Sequence, residues 1–148
     1  NLSVKSNILG VAERNFLKQE DLINFYQNTI TEFGLESIED SMGYVLSGGQ
    51  RRKVEIARCL ASKPKLILLD EPFAGIDPLA IEDIKNVLKS LADKGICILI
   101  TDHNLRETID ICNYSIVIKD GSILDKGEKD YLINSSLIKE EYFGTVFD

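Results

Sequence analysis

The 148-residue sequence is poor in the residues that build metal centres and disulfide frameworks. It contains one histidine and three cysteines, and Cys59, Cys97 and Cys112 form no C-x-x-C pair. An odd number of widely spaced cysteines argues against a disulfide framework or a structural zinc site, and fits a reducing compartment such as the cytoplasm. We therefore expect the cysteines to behave as small buried apolar residues.

Long apolar stretches and an excess of positive charge are also lacking. The longest wholly apolar runs, such as Ile96–Ile100 and Leu66–Leu69, are far shorter than the ~20 residues that span a bilayer. The sequence has 17 basic and 24 acidic residues, for a net charge of −7. This balance argues against broad electrostatic binding to nucleic acid. In contrast, 44% of the residues are hydrophobic, which is enough to build a core.

The first part of the chain, residues 1–62, has a helical pattern. A helix is predicted over Asn15–Phe33, because its apolar residues recur three or four positions apart and Gly34 is a natural stop. These apolar residues are Leu22, Tyr26, Ile30 and Phe33. A second helix is predicted over Gly48–Ser62, with Ser47 as its N-cap.

The pattern beyond Pro64 alternates between strand and helix. Lys65–Leu69 and Ile96–Thr101 are short apolar runs typical of strands buried on both faces. Between them, Asp77 and Pro78 mark the start of a helix as N-cap and first helical residue. This strand–helix–strand order predicts an α/β fold with a parallel sheet.

A hairpin and short helices complete the predicted organisation. Asp120-Gly121 is a strong turn signal between strands at Tyr114–Lys119 and Ser122–Asp125, and Glu128–Tyr142 is expected to form one or two short helices. We therefore expect three segments. They are a helical subdomain over residues 1–62, an α/β part over residues 63–127 and C-terminal helices over residues 128–148.

The segment Leu46–Gln50 has the composition of a phosphate-binding loop. Its two adjacent glycines allow backbone N–H groups to approach an anion, Ser47 adds a hydroxyl, and the following helix presents its positive end. A Ser-Gly-Gly loop before a helix is also an ordinary helix cap, so this segment alone does not decide between the two.

Acidic residues and a histidine follow the two predicted strands. Asp70 and Glu71 stand at the end of the first, where α/β sheets bind ligands. Asp70 could hold Mg²⁺, and Glu71 could orient or deprotonate an attacking water. His103 follows the second strand, and the two strand ends would share one sheet edge. Each of these residues could also be an ordinary solvated or structural side chain.

Taken together, these motifs resemble the ATP-binding subunit of ABC transporters. Leu46–Gln50 matches the signature motif, Leu66–Asp70 matches Walker B and Ala74–Asp77 looks like the D-loop. The flanking segments Arg51–Arg58 and Thr101–Thr108 look most like the ATPases of lipopolysaccharide export. The ATPases of branched-chain amino-acid importers are a related alternative.

The resemblance implies a P-loop NTPase fold and a role for each motif residue. Glu71 and His103 would be catalytic, and Asp70 would hold Mg²⁺. The residues that would contact ATP are Ser47, Gly48, Gly49, Gln50 and Asp77. It also implies a second ATPase subunit and transmembrane transporter subunits as partners, with no nucleic acid, and a location at the cytoplasmic face of the inner membrane.

One element of the resemblance has no counterpart in the sequence. The family's Walker A loop, G-x-x-x-x-G-K-[ST], cradles the phosphates, and none of the ten glycines here is followed by lysine. We therefore expect a C-terminal portion of an ATPase, with an incomplete sheet, weak or no binding of ATP and no activity by itself. A non-catalytic module that binds a partner protein remains the alternative.

Overall fold

A computed structural model describes residues 2–143 of the chain. The chain divides between Thr101 and Asp102 into two compact units, which are described separately. Residues 144–148, the end of the predicted third segment, lie outside the described residues. The three-segment division remains a prediction.

The first unit begins with the helical region that the sequence predicts. Its α-helices are α1 (Val4–Ala12), α2 (Gln19–Glu32) and α3 (Gly48–Leu60), and the short 3₁₀ turns Glu36–Ile38 and Gly43–Val45 lie between α2 and α3. The predicted start of α2 at Asn15 is wrong. Asn15 instead lies in the turn that follows α1, where its side chain donates a hydrogen bond to the Val11 carbonyl at 3.0 Å.

The packing of α2 follows the predicted apolar face. Leu22, Tyr26, Ile30 and Phe33 are all buried. Burial, together with a 2.6 Å hydrogen bond from the Tyr26 hydroxyl to the Glu39 carboxylate, raises the pKa of Tyr26 above its ordinary value.

A polar contact joins the end of α2 to the later part of the unit. Glu32 accepts hydrogen bonds from Ser90 at 2.8 Å and from Lys94 at 2.5 Å. Burial alone would raise the pKa of Glu32, but these two donors outweigh it and lower that pKa.

The α/β part of the first unit contains β1 (Leu66–Asp70), α4 (Pro78–Asp93) and β2 (Cys97–Thr101). The two strands pair in parallel, with Leu66 opposite Cys97 and Asp70 opposite Thr101. The predicted parallel strand–helix–strand unit is therefore confirmed. Since parallel strands end at the same edge, the residues after β1 and the residues at the end of β2 come together.

The expectation that both strands are buried on both faces is wrong. Ile67 is 2% exposed, whereas Leu66, Leu68 and Leu99 are 50–67% exposed. α4 packs against β2, and the exposed leucines lie on a face of the sheet that no other described element of the first unit covers. Cys97 is exposed as well, and Cys59 and Cys112 are only half-buried, so the expectation of buried cysteines also fails.

The second unit is a hairpin with short helices. α5 (Leu105–Ile111) precedes the antiparallel strands β3 (Ser115–Lys119) and β4 (Ser122–Gly127). The helices α6 (Lys129–Asn134) and α7 (Ser136–Ile138) follow and lead into one π-helical turn over Lys139–Phe143. The core contains Ile109, Val117, Leu132 and Ile138.

The turn of this hairpin confirms the Asp120-Gly121 signal. Both residues have positive φ, 50° for Asp120 and 76° for Gly121, as a two-residue turn between right-twisted strands requires. β3–β4 and β1–β2 are separate two-stranded sheets, in agreement with the expectation of an incomplete sheet.

Candidate functional site

The signature loop, Leu46–Gln50, ends in a capping box at the start of α3. The Ser47 hydroxyl accepts a hydrogen bond from the Gln50 N–H at 3.2 Å, and the Gln50 side-chain oxygen accepts one from the Ser47 N–H at 3.0 Å. The two side chains thus fix the loop against the helix. Ser47 can still donate its own hydroxyl hydrogen, and Gln50 its amide hydrogens, to an anion in front of the helix.

The two glycines of the loop are packed against the segment that leads into α4 and against its first turn. A Cβ atom on Gly49 would lie 2.5 Å from the Cβ of Ala80, and one on Gly48 would lie 3.4 Å from the Gly75 carbonyl oxygen. The close approach of α3 to Ala80 requires that Gly49 lack a side chain, whereas a Cβ on Gly48 would make only an ordinary van der Waals contact. Sequence reasoning assigned these glycines to anion binding and missed this close packing.

Asp77 lies on the same segment, the D-loop Ala74–Asp77. Its carboxylate accepts a hydrogen bond from the Ala80 N–H at 3.0 Å and caps α4, as the Asp-Pro signal predicts. Because Gly48 and Gly49 touch this segment, the structure brings five predicted residues into one neighbourhood. Four of them belong to the signature loop, and Asp77 is the fifth.

Asp70 is the last residue of β1. Its carboxylate accepts a hydrogen bond from the hydroxyl of Thr101, the residue opposite it in the parallel pair. Carboxylate and hydroxyl oxygens are ligands that suit Mg²⁺, so the chemistry of this pair fits the predicted metal role. Residues 2–143 contain no cluster of three or more His, Cys, Asp or Glu side chains arranged to hold a metal ion.

Glu71 follows β1 in a left-handed backbone conformation, with φ of 45°. Its N–H donates to the Thr101 carbonyl at 2.7 Å, and its own carbonyl accepts from the Ala74 N–H at 3.2 Å. The same carbonyl accepts a hydrogen bond from the Arg52 guanidinium on α3 at 3.2 Å. Sequence reasoning gave Arg52 no role at the site, because no local pattern shows that it reaches the end of β1.

His103 belongs to the second unit. Its side chain is 76% exposed, and its Nδ1 lies 3.8 Å from Oδ1 of Asp102, whose side chain is 1% exposed. That Asp102 oxygen also accepts a hydrogen bond from the Asn104 N–H at 2.8 Å. The buried Asp102 carboxylate therefore contacts the backbone that leads into α5.

Comparison with known proteins identifies the family. The family model of the ABC transporter matches residues 1–74. The lipopolysaccharide export system ATP-binding protein LptB of Escherichia coli strain K12 is 43% identical over 147 residues, which cover 99% of this chain and 61% of the relative. The present chain thus spans about 61% of the length of that curated relative.

Two solved structures share the fold at TM-scores well above 0.5. The ADP conformation of an ATP-binding cassette of an ABC transporter is 27% identical, with a TM-score of 0.77 over 97% of this chain and 63% of that one. cbiO1 from Clostridium perfringens, part of the transporter complex cbiONQ, is 27% identical, with a TM-score of 0.83 over 94% of this chain and 56% of that one.

In the described part of the chain, no helix combines the length and the apolar character needed to cross a membrane. The mixed α/β fold agrees with the comparisons, which relate the chain to ATP-binding cassettes. The chain belongs to the ABC transporter family and is related to the ATP-binding proteins of that family.

Proposed function

We propose that this chain is part of an ATPase that couples ATP binding and hydrolysis to the export of lipopolysaccharide. The observation that carries the proposal is the arrangement of the first unit. There, the glycines at the start of α3 pack against the D-loop, and Arg52 of the same helix contacts the strand-end residue Glu71. The 43% identity to an export ATP-binding protein supports the choice of lipopolysaccharide.

Within this proposal, each site residue has a chemical task. Glu71 orients and deprotonates the attacking water, and His103 contacts the terminal phosphate. The start of α3, with Ser47 and Gln50, contacts phosphate oxygens through hydroxyl, amide and backbone N–H groups. Asp70 would hold Mg²⁺, with the Thr101 hydroxyl beside it, and bound Mg²⁺ would neutralise charge on the phosphates.

The proposal includes partners and a location. The solved relative cbiO1 is part of a transporter complex, and another solved cassette, 25% identical with a TM-score of 0.72, is a dimer bound to ADP and phosphate. By analogy, we propose a second ATPase subunit and transmembrane subunits as partners, at the cytoplasmic face of the inner membrane.

The proposal can be tested in a chimera. Residues 1–148 replace the matched segment of E. coli LptB, so that the relative supplies the remaining part of its own length. ATP hydrolysis by the purified chimera and lipopolysaccharide at the cell surface are then measured. We expect both activities, and Glu71→Gln should slow hydrolysis about 10²–10⁴-fold, because it removes the base and keeps the size of the side chain.

The matched control is Glu36→Gln, at an exposed glutamate in a short 3₁₀ turn, which should hydrolyse ATP at the parental rate. A chimera that unfolds cooperatively but hydrolyses no ATP would contradict the ATPase proposal and favour a non-catalytic module. Hydrolysis without lipopolysaccharide at the surface would contradict the proposed cargo.

A further inference from the structure

The backbone at Glu71 adopts a conformation that an ordinary side chain avoids. A φ of 45° places the residue in the left-handed region, where Cβ is crowded by the backbone. Such residues persist only where the surroundings hold them, and they occur preferentially at functional sites. The contacts around Glu71 therefore show what maintains its conformation.

Hydrogen bonds to neighbouring segments hold this backbone. The Thr101 carbonyl accepts from the Glu71 N–H, and the Ala74 N–H donates to the Glu71 carbonyl. The third donor is the Arg52 guanidinium, at 3.2 Å from the same carbonyl oxygen. The first two bonds are formed within the strand pair and its turn, whereas Arg52 reaches the turn from α3.

Arg52 is itself oriented by a neighbour on α3. Its other terminal nitrogen forms an ion pair with Glu55 at 2.9 Å, and its side chain is 27% exposed. The planar guanidinium can donate along two directions at once. One terminal nitrogen of Arg52 is thus bonded to Glu55, and the other donates to the Glu71 carbonyl.

We infer that Arg52 is a positioning residue for Glu71, which it acts on through the backbone carbonyl. The helix that begins with the signature loop thereby holds the conformation of the glutamate after β1 in the same chain. This inference rests on the role of Glu71 in the proposed function. Its structural part, the stabilisation of the Glu71 backbone by Arg52, can be measured without nucleotide.

The structural part is tested by hydrogen exchange in the 148-residue chain. The amides to follow are those of Glu71 and Ala74, which take part in the bonds described above. Arg52→Ala should speed their exchange about five- to tenfold, the equivalent of one hydrogen bond. The control Arg58→Ala, at an exposed arginine in the last turn of the same helix, should leave it unchanged.

Arg52→Lys serves as a second test variant in case the alanine variant does not fold. Lysine retains the charge but has no planar guanidinium that can bond Glu55 and the Glu71 carbonyl at the same time. Exchange at the Glu71 and Ala74 amides should therefore rise again. Unchanged exchange in a folded Arg52→Ala or Arg52→Lys variant would overturn the inference.

The functional part is tested in the chimera. Arg52→Ala should lower kcat for ATP about tenfold with little change in KM, because the residue acts on Glu71. An unaltered kcat would overturn the functional part. If the unsubstituted chimera hydrolyses no ATP, the proposed function fails, whereas the exchange result stands by itself.

Discussion

Replacing Gly49 by alanine tests how closely the start of α3 packs against the start of α4. The new Cβ would lie 2.5 Å from the Cβ of Ala80 and 3.6 Å from a methyl carbon of Ile76. The first distance is far inside van der Waals contact, and Ala80 has no flexible side chain that could move away. The helices must therefore separate at this point.

The cost of this separation follows from overpacking a close contact. Such changes destabilise proteins by about 1–3 kcal/mol, and for a chain of this length each kcal/mol lowers the melting temperature by roughly 3 °C. We expect Gly49→Ala to melt about 3–9 °C below the parent in calorimetry. Gly10→Ala is the matched control, because Gly10 is also helical and a Cβ there meets nothing within 4 Å. Glycine lowers helix stability by about 0.5–1 kcal/mol, so this control should melt slightly higher than the parent.

Removing the opposing methyl group should reverse the effect. Ala80→Gly alone weakens α4 by up to about 1 kcal/mol, but combined with Gly49→Ala it removes the clash. The free energy of unfolding of the double variant should therefore exceed the value expected from adding the two single-variant effects by at least about 1 kcal/mol. Additive effects, or a Gly49→Ala variant that melts like Gly10→Ala, would refute the close-packing argument.

Two further predictions concern hydrogen bonds. Gln50→Ala removes half of the capping box and should lower the free energy of unfolding by about 0.5–1.5 kcal/mol. Gln50→Glu keeps an acceptor for the Ser47 N–H and should be as stable as the parent. Equal urea midpoints for the two variants would contradict this prediction. Because the pKa of Glu32 is lowered in the folded chain, its stabilisation should be present above its ordinary pKa of about 4.5 and be lost as the pH falls through the lowered value. At pH 7, urea unfolding should find Glu32→Gln less stable than the parent by about 1 kcal/mol, and a difference that does not shrink in acid would count against the contacts with Ser90 and Lys94.

Local signals in the sequence predict much of the fold. Asp77 and Pro78 mark the start of α4 because capping depends on only four neighbouring residues. Asp120-Gly121 marks the hairpin because few other residues accept its positive φ values. The buried face of α2 follows from the helical period, which is also a local property.

Contacts between distant residues are not visible in such patterns. The apolar run at β1 is the same whether one face or two are covered, so the exposure of Leu68 could not be predicted. The contact of Arg52 with Glu71 joins residues 19 positions apart, and no residue near Glu71 indicates its positive φ. The motifs predict which residue types form the candidate site. They do not show that Gly49 is packed against Ala80.

The Tyr26 side chain, which is buried, makes the helical region observable by ultraviolet absorbance. The sequence has five tyrosines and no tryptophan, so phenolate formation can be followed without indole absorbance. A tyrosine of ordinary pKa ionises near pH 10, but Tyr26 keeps its proton to higher pH while it donates to Glu39. The pKa of Tyr131 is raised too, by the nearby charge of Asp125. The part of the late ionisation that Tyr26→Phe removes is therefore a label-free reporter of the contact between α2 and the turn that carries Glu39, and its loss marks the opening of this region.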